Sequence, residues 1–287
     1  MKGRDTIFKV RNYSYTEVME DISQLKDKCP CIETGVIGKS AQGRSLAYVR
    51  LGSGQNKVFY NATHHSLEWI TSLLLMKFAH DYADAYIGRK PLCGYNICNI
   101  SRLTSIYLLP MVNPDGVELV LHGGKKYANW QSNSRGVDLN HNYAADWEHC
   151  HTLEQAAGII EPGPTRYGGE RPFSEPETAA IARFCRKSSF NLALALHSQG
   201  EEIYWDFKGF EPPSAREFAD ELSNVSGYAV STPVTLASCG GFKDWFIQEF
   251  RKYGFTIEVG SGTNPLPLTQ FDKIYKDILE MLLICAI

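Results

Sequence analysis

The chain has no long apolar run. Stretches such as Leu73-Leu74-Leu75-Met76 fall far short of the ~20 residues needed to cross a bilayer, so no membrane insertion is expected. It also lacks a Lys/Arg-rich segment. With 29 basic and 32 acidic residues the net charge is -3, which removes the electrostatic case for nucleic-acid binding. No internal repeat, low-complexity tract or Pro/Ser-rich linker divides the sequence, so residues 1–287 read as one domain with 1–34 as a helical lead-in. No apolar core follows Met1-Lys2-Gly3-Arg4-Asp5, so no secretory leader is visible and a cytoplasmic protein is expected. Neither Cys29-Pro30-Cys31 nor the Cys93/Cys98 pair has zinc-ligating C-x-x-C spacing. Without a leader, the eight cysteines are expected to be reduced thiols. His149-Cys150-His151 carries ligating residue types, but no matching half-site accompanies it.

What is present is strong patterning. Hydrophobic residues make up 44% of the chain, enough for a sizeable core. Val18, Met19, Ile22 and Leu25 recur with helical period between about Thr16 and Lys28. Residues 35–38 and 45–51 read as strands around a Gly43 turn, and Lys57-Val58-Phe59-Tyr60 as a buried strand. Trp69 to about Tyr86 reads as a long helix, followed by a strand over 105–110 stopped by Pro110. A helix is expected from Glu175 to about Lys187 with Ser174 as N-cap. Residues 191–196 form an apolar strand delivering His197 at its end, and 255–259 a strand of the same kind around Glu258. Strands alternating with helices predict an α/β protein, a three-layer α/β/α sandwich on a mixed, largely parallel sheet. Ligands then bind beyond the carboxyl ends of the strands.

His65 and Glu68 are three apart in His65-Ser66-Leu67-Glu68. If a helix opens near His65, both side chains share one face. Two ligands from one turn plus the distant His197 would leave a fourth zinc position open, as in catalytic sites. Asn113-Pro114-Asp115-Gly116 reads as a turn. Taken in order, Asn61-Ala62-Thr63-His64-His65-Ser66-Leu67-Glu68, Asn113-Pro114-Asp115-Gly116, Arg135-Gly136-Val137-Asp138-Leu139-Asn140, Pro172-Phe173-Ser174-Glu175-Pro176-Glu177-Thr178, Leu196-His197-Ser198-Gln199-Gly200 and Thr256-Ile257-Glu258-Val259-Gly260 resemble the zinc carboxypeptidase family from Gly35 to about Pro267.

The resemblance implies that His65, Glu68 and His197 bind one Zn2+. Glu258 would be the general base, Arg135 the residue that polarises the scissile carbonyl, and Asp138 the carboxylate that orients His65. His64 is expected to be structural. With all five central residues present, a catalytically inert peptidoglycan-binding relative is disfavoured. Two departures bear on substrate. Where the family has Asn-Arg to clamp a C-terminal carboxylate, this chain has Asn140-His141, and an imidazole makes no bidentate clamp. The segment 235–241 also lacks the family's capping tyrosine. Lys243 falls at the floor of the specificity pocket, where it would complement an acidic group.

The strings around Gln199, Lys243 and Glu258 resemble the bacterial branch that cleaves γ-D-glutamyl-meso-diaminopimelate bonds in peptidoglycan. Asn140, His141, Lys243 and Gln199 are therefore the expected substrate contacts, with Glu201 or Glu202 meeting the diaminopimelate ammonium. The expected partner is a muropeptide or other peptide. The alternative is a conventional metallocarboxypeptidase removing C-terminal, perhaps acidic, residues.

Overall fold

The computed structural model describes residues 9–29 and 31–287. The reading of Met1 to Asp5 as leaderless therefore lies outside the described residues. In chain order the strands are β1 (Glu33–Lys39), β2 (Ser45–Leu51), β3 (Asn56–Ala62), β4 (Pro91–Leu92), β5 (Tyr95–Asn96), β6 (Thr104–Leu109), β7 (Leu192–His197), β8 (Glu202–Tyr204), β9 (Ala229–Ser231) and β10 (Tyr253–Glu258). The α-helices are α1 (Tyr15–Lys28), α2 (Ile70–Gly88), α3 (Ile97–Leu103), α4 (Pro114–His122), α5 (Trp147–Ala156), α6 (Pro176–Ser188), α7 (Ala215–Ser226), α8 (Phe242–Phe250) and α9 (Phe271–Ile284).

Eight strands make one sheet in the order β1-β2-β6-β3-β7-β10-β8-β9. The central neighbours β6/β3, β3/β7 and β7/β10 pair in parallel, while β1/β2, β2/β6 and β8/β10 are antiparallel. The mixed, largely parallel sheet is thus the expected one.

Strand alternation sets the layers. In β7, Leu192, Leu194 and Leu196 join a core with α1, α2, α7 and α9. Ala193 and Ala195 join the other core, with α6 and α8. Side chains at every second position share a face, so His197 falls on the α6/α8 face. Small alanines there let α8 approach closely, and the large leucines fill the opposite layer. Glu258 pairs with His197 in register, so the two ends deliver both groups side by side. The layered architecture follows from this two-sided burial.

Four local expectations need correction. His65 does not start an α-helix. It is extended and precedes a single 3-10 turn, Ser66–Glu68, with α2 beginning only at Ile70. Asn113 does not lie in a bare turn. Its side chain accepts a hydrogen bond from the Gly116 amide and Pro114 opens α4, the preferred pairing at a helix start. Ser174 is not the cap of α6, because Asn142 and Glu175 occupy its hydroxyl and Glu175 takes the cap position. Lastly, four of the cysteines are not free. Cys29–Cys31 and Cys150–Cys239 are disulfides with Cα separations of 5.3 and 5.6 Å, inside the range a bridge needs. Cys93, Cys98, Cys185 and Cys285 are thiols.

Candidate active site

The site begins where β3 ends. Thr63 adopts φ of 60°, sharply turning the chain, and its hydroxyl lies 2.8 Å from that of Thr71 and 2.7 Å from that of Ser72. The Asn113 side-chain amide donates to the His64 carbonyl at 3.0 Å and to the Ser132 carbonyl at 3.1 Å. This buried asparagine therefore pins the turn that carries His65. Reading it only as turn chemistry missed that role.

Three side chains then converge. Glu68 lies with Oε1 2.8 Å from His65 Nδ1 and Oε2 3.0 Å from His197 Nδ1, and the two Nδ1 atoms are 3.3 Å apart. Two imidazole nitrogens and a carboxylate meeting in a largely buried spot form the donor set suited to zinc with an open position. Placing two ring nitrogens edge to edge has no hydrogen-bonding purpose when both are unprotonated, but it suits a shared cation. These residues fit the metal. The His65 and Glu68 pair expected from sequence is thus brought together by a 3-10 turn rather than an α-helical face.

Electrostatics matches this reading. Burial would depress His65, but Glu68 and Asp138 outweigh it and hold the imidazole well above its ordinary pKa. Burial would raise Glu68, and His65 and His197 instead bring it down to about 2. Asp138 accepts from His65 Nε2 at 3.2 Å and from the Asn140 and Arg166 amides at 3.1 and 2.8 Å, so it fixes the ring that presents Nδ1. Its own pKa is pushed far down: burial acts upward, and the imidazoles of His65 and His141 overcome it. His64 is buried, bonds Tyr143 at 3.0 Å and stacks on His197, a packing role as expected.

A cleft of ≈ 170 Å³ opens onto these groups. Asn140, His141, Lys243 and Glu258 line it, with Gln131, Thr165, Arg166, Tyr204 and Asp244 in addition. Glu258 is pushed well above an ordinary carboxyl pKa, first by burial and then by the neighbouring Glu68 charge. Lys243 is buried, not an exposed helix residue. Its Nζ lies 2.5 Å from Asp244 Oδ1 and donates to the Asp206 carbonyl at 2.5 Å. His141 is held by Glu154 at 2.9 Å. Gly240, at φ 72°, lets the chain pass so close to His141 that an added Cβ would lie 2.9 Å from its carbonyl, in a conformation that favours glycine. Another cavity, of ≈ 200 Å³ beside Tyr82, Tyr86 and Arg102, lies apart from these donors.

Four residues expected to meet substrate are not part of this lining. Arg135 is 55% exposed, sits 3.7 Å from Glu175 and does not line the cleft. Gln199 is exposed and also outside the lining. Glu201 pairs with Lys273 at 2.8 Å, and Glu202 accepts from Tyr204 and Ser231; neither lines the cleft. Asp244, adjacent in sequence to Lys243, is the cleft carboxylate. Its signal was the Lys-Asp dipeptide itself, which places opposite charges at one helix start.

A family model described as zinc carboxypeptidase matches residues 18–281. The chain is 39% identical to gamma-D-glutamyl-L-diamino acid endopeptidase 1 of Lysinibacillus sphaericus over 291 aligned residues, 95% of this chain and 72% of that one. It is 34% identical to the uncharacterized protein YqgT of Bacillus subtilis, over 92% of this chain and 74% of that one. Among solved structures, bovine thrombin-activatable fibrinolysis inhibitor, in complex with tick carboxypeptidase inhibitor, superposes with a TM-score of 0.78 at 22% identity, covering 96% and 97% of the two chains. That likeness bears on the fold.

Proposed function

Because the chain belongs to the zinc carboxypeptidase family and is a zinc metallopeptidase, we propose that it hydrolyses the γ-D-glutamyl-meso-diaminopimelate bond of peptidoglycan stem peptides. The observation that carries this reading is the buried Lys243–Asp244 pair in the cleft wall. The far end of a diaminopimelate side chain is a zwitterion, with one carboxylate and one ammonium. A fixed cation and anion, already desolvated and adjacent, match it charge for charge. The named relative, a gamma-D-glutamyl-L-diamino acid endopeptidase, agrees in class.

In this reading His65, Glu68 and His197 hold the zinc and Asp138 orients His65. When bound, the ion supplies Lewis acidity toward a carbonyl oxygen and a water molecule. Glu258 does the proton work. Its raised proton affinity suits a carboxylate that takes a proton from water and returns it to the departing amine nitrogen. Arg135, on its turn at the protein surface, reaches the scissile carbonyl only by swinging from Glu175. Asn140 offers its side-chain amide hydrogens to substrate, since its Oδ1 already accepts from the Phe242 amide. Soluble muropeptides are the substrates. The two disulfides favour an oxidising compartment over the cytoplasm expected from the sequence.

The test is mass spectrometry of L-Ala-γ-D-Glu-meso-diaminopimelate incubated with zinc-loaded protein, beside an α-linked tripeptide. Release of diaminopimelate from the γ-linked peptide alone is expected, together with at least a roughly 30-fold loss in kcat/KM when lysine replaces diaminopimelate. Cleavage of the α-linked peptide instead would make this a conventional carboxypeptidase.

A further inference from the structure

A γ-linked glutamyl residue differs from an α-linked one in a specific way: its α-carboxylate stays free, three carbons from the scissile carbonyl. An enzyme that distinguishes the linkages has reason to hold a cation on the acyl side of the bond. Among the described residues lining the cleft, most of the basic side chains already have a carboxylate partner. Lys243 is paired with Asp244 at the zwitterionic end, His141 is held by Glu154, and His65 is bracketed by Glu68 and Asp138. Arg166 differs. It lines the cleft, is exposed, and no carboxylate of the described residues lies within ion-pair distance of its guanidinium.

Its backbone is held in place. Arg166 has φ of 64°, a conformation that few non-glycine residues adopt unless their surroundings fix it. The fixing group is Asp138, which receives the Arg166 amide on Oδ2 at 2.8 Å and faces His65 with Oδ1 at 3.2 Å. One buried carboxylate thus ties the arginine to the side of the cleft that carries His65, whereas Lys243 and Asp244 stand on α8. Thr165, next to it, is anchored to Gln131 at 2.8 Å. The cleft therefore offers one zwitterionic end and one free guanidinium end.

We propose that Arg166 is a specificity-determining residue whose guanidinium binds the free α-carboxylate of the γ-linked glutamyl residue. The assignment rests on the γ-glutamyl reading above. A planar fork is the side chain that pairs bidentately with a carboxylate, and here it replaces no clamp on the leaving side. It reads the linkage on the acyl side.

The experiment compares three peptides with the full zinc-loaded chain: L-Ala-γ-D-Glu-diaminopimelate, its analogue with the glutamyl α-carboxylate amidated, and its analogue with the diaminopimelate α-carboxylate amidated. The unaltered protein is expected to prefer the first over the second by about 30-fold in kcat/KM. Arg166→Gln should lose about that factor on the first, mainly through KM, and nothing on the second. Arg166→Lys should fall between, because charge survives and the fork does not.

An Arg166→Gln protein that keeps the preference, or loses equally on both peptides, overturns the assignment. So does a loss that disappears only when the diaminopimelate carboxylate is amidated. If the unaltered protein cleaves an α-linked peptide and none of the γ-linked ones, the γ-glutamyl reading fails and this assignment with it. If it cleaves them and only the variants disagree, this assignment alone fails.

Discussion

His65 carries a carboxylate on each ring nitrogen, and the consequences are measurable at that single residue. In the metal-free protein Glu68 and Asp138 overcome burial and stabilise the imidazolium. A metal ligand must be neutral, so the proton on His65 competes with zinc. Below the raised pKa, apparent zinc affinity should fall about tenfold per pH unit, read by competition with a chromogenic chelator from pH 8 to 5. A flat profile would remove His65 from the ligand set. Asp138→Asn acts on the same ring. It withdraws one charge favouring the proton but also loosens the orientation of Nδ1, and the second effect should dominate, weakening zinc about 10- to 100-fold at pH 7.5. Glu258→Gln is the complementary change: zinc content should remain at one per chain while kcat drops by about 10² to 10⁴. Loss of metal in that variant would place Glu258 among the ligands instead.

At the scale of elements, the parallel core of the sheet was readable because short apolar runs bounded by turn residues are local signals. The leucine–alanine alternation that makes one face of β7 thin lay unread inside its apolar run. The metal ligands were readable for the same reason, as they sit at strand ends and in one short motif. What sequence could not supply was how distant elements meet. Arg166 belongs to an irregular segment tied to the site by hydrogen bonds from residues 164–167 to Gln131 and Asp138, which no local pattern announces. Asn113 was hidden because helix-start chemistry and turn chemistry use the same residue types. The junction of α6 with the turn between β1 and β2 is another such meeting, and it has a pH signature. Glu177, in the first turn of α6, accepts from the Ala41 amide at 2.9 Å. Burial, more than the nearby Asp115 and Glu175 charges, raises its pKa from 4.5 to about 7. A carboxyl with a raised folded pKa binds its proton more tightly when folded. Its favourable contribution is complete below pH 4.5 and is lost as pH rises through about 7. Glu177→Gln should therefore stabilise the protein at pH 8 by on the order of 2 kcal/mol and make little difference at pH 4. Melting curves of the two proteins that ran parallel across this range would refute the assignment.

For the whole molecule, the cleft is a convergence of chain segments far apart in sequence, from His65 to Glu258. The Cys150–Cys239 bridge spans 89 residues and ties α5 to the segment leading into α8. Cys239 itself lines the cleft, and the adjacent Gly240 exchanges backbone bonds with Tyr143 and Ala145. Closing a loop of that length stabilises a fold by about 4.6 kcal/mol in the chain-entropy account. The bridge thus joins stability to the geometry of the Lys243 end, since α8 starts immediately after it. The eight cysteines then divide into two bridges and four thiols. Protein alkylated rapidly on release from its native cells, then denatured, should show four modified cysteines: Cys93, Cys98, Cys185 and Cys285. Reduction before alkylation should expose the other four and lower the melting temperature, with KM for the diaminopimelate peptide rising as the wall at Cys239 loosens. Eight modified cysteines without prior reduction would mean that the chain works as a dithiol protein in a reducing compartment. The hydrogen bonds of Gly240, Tyr143 and Ala145 would then have to hold that wall unaided.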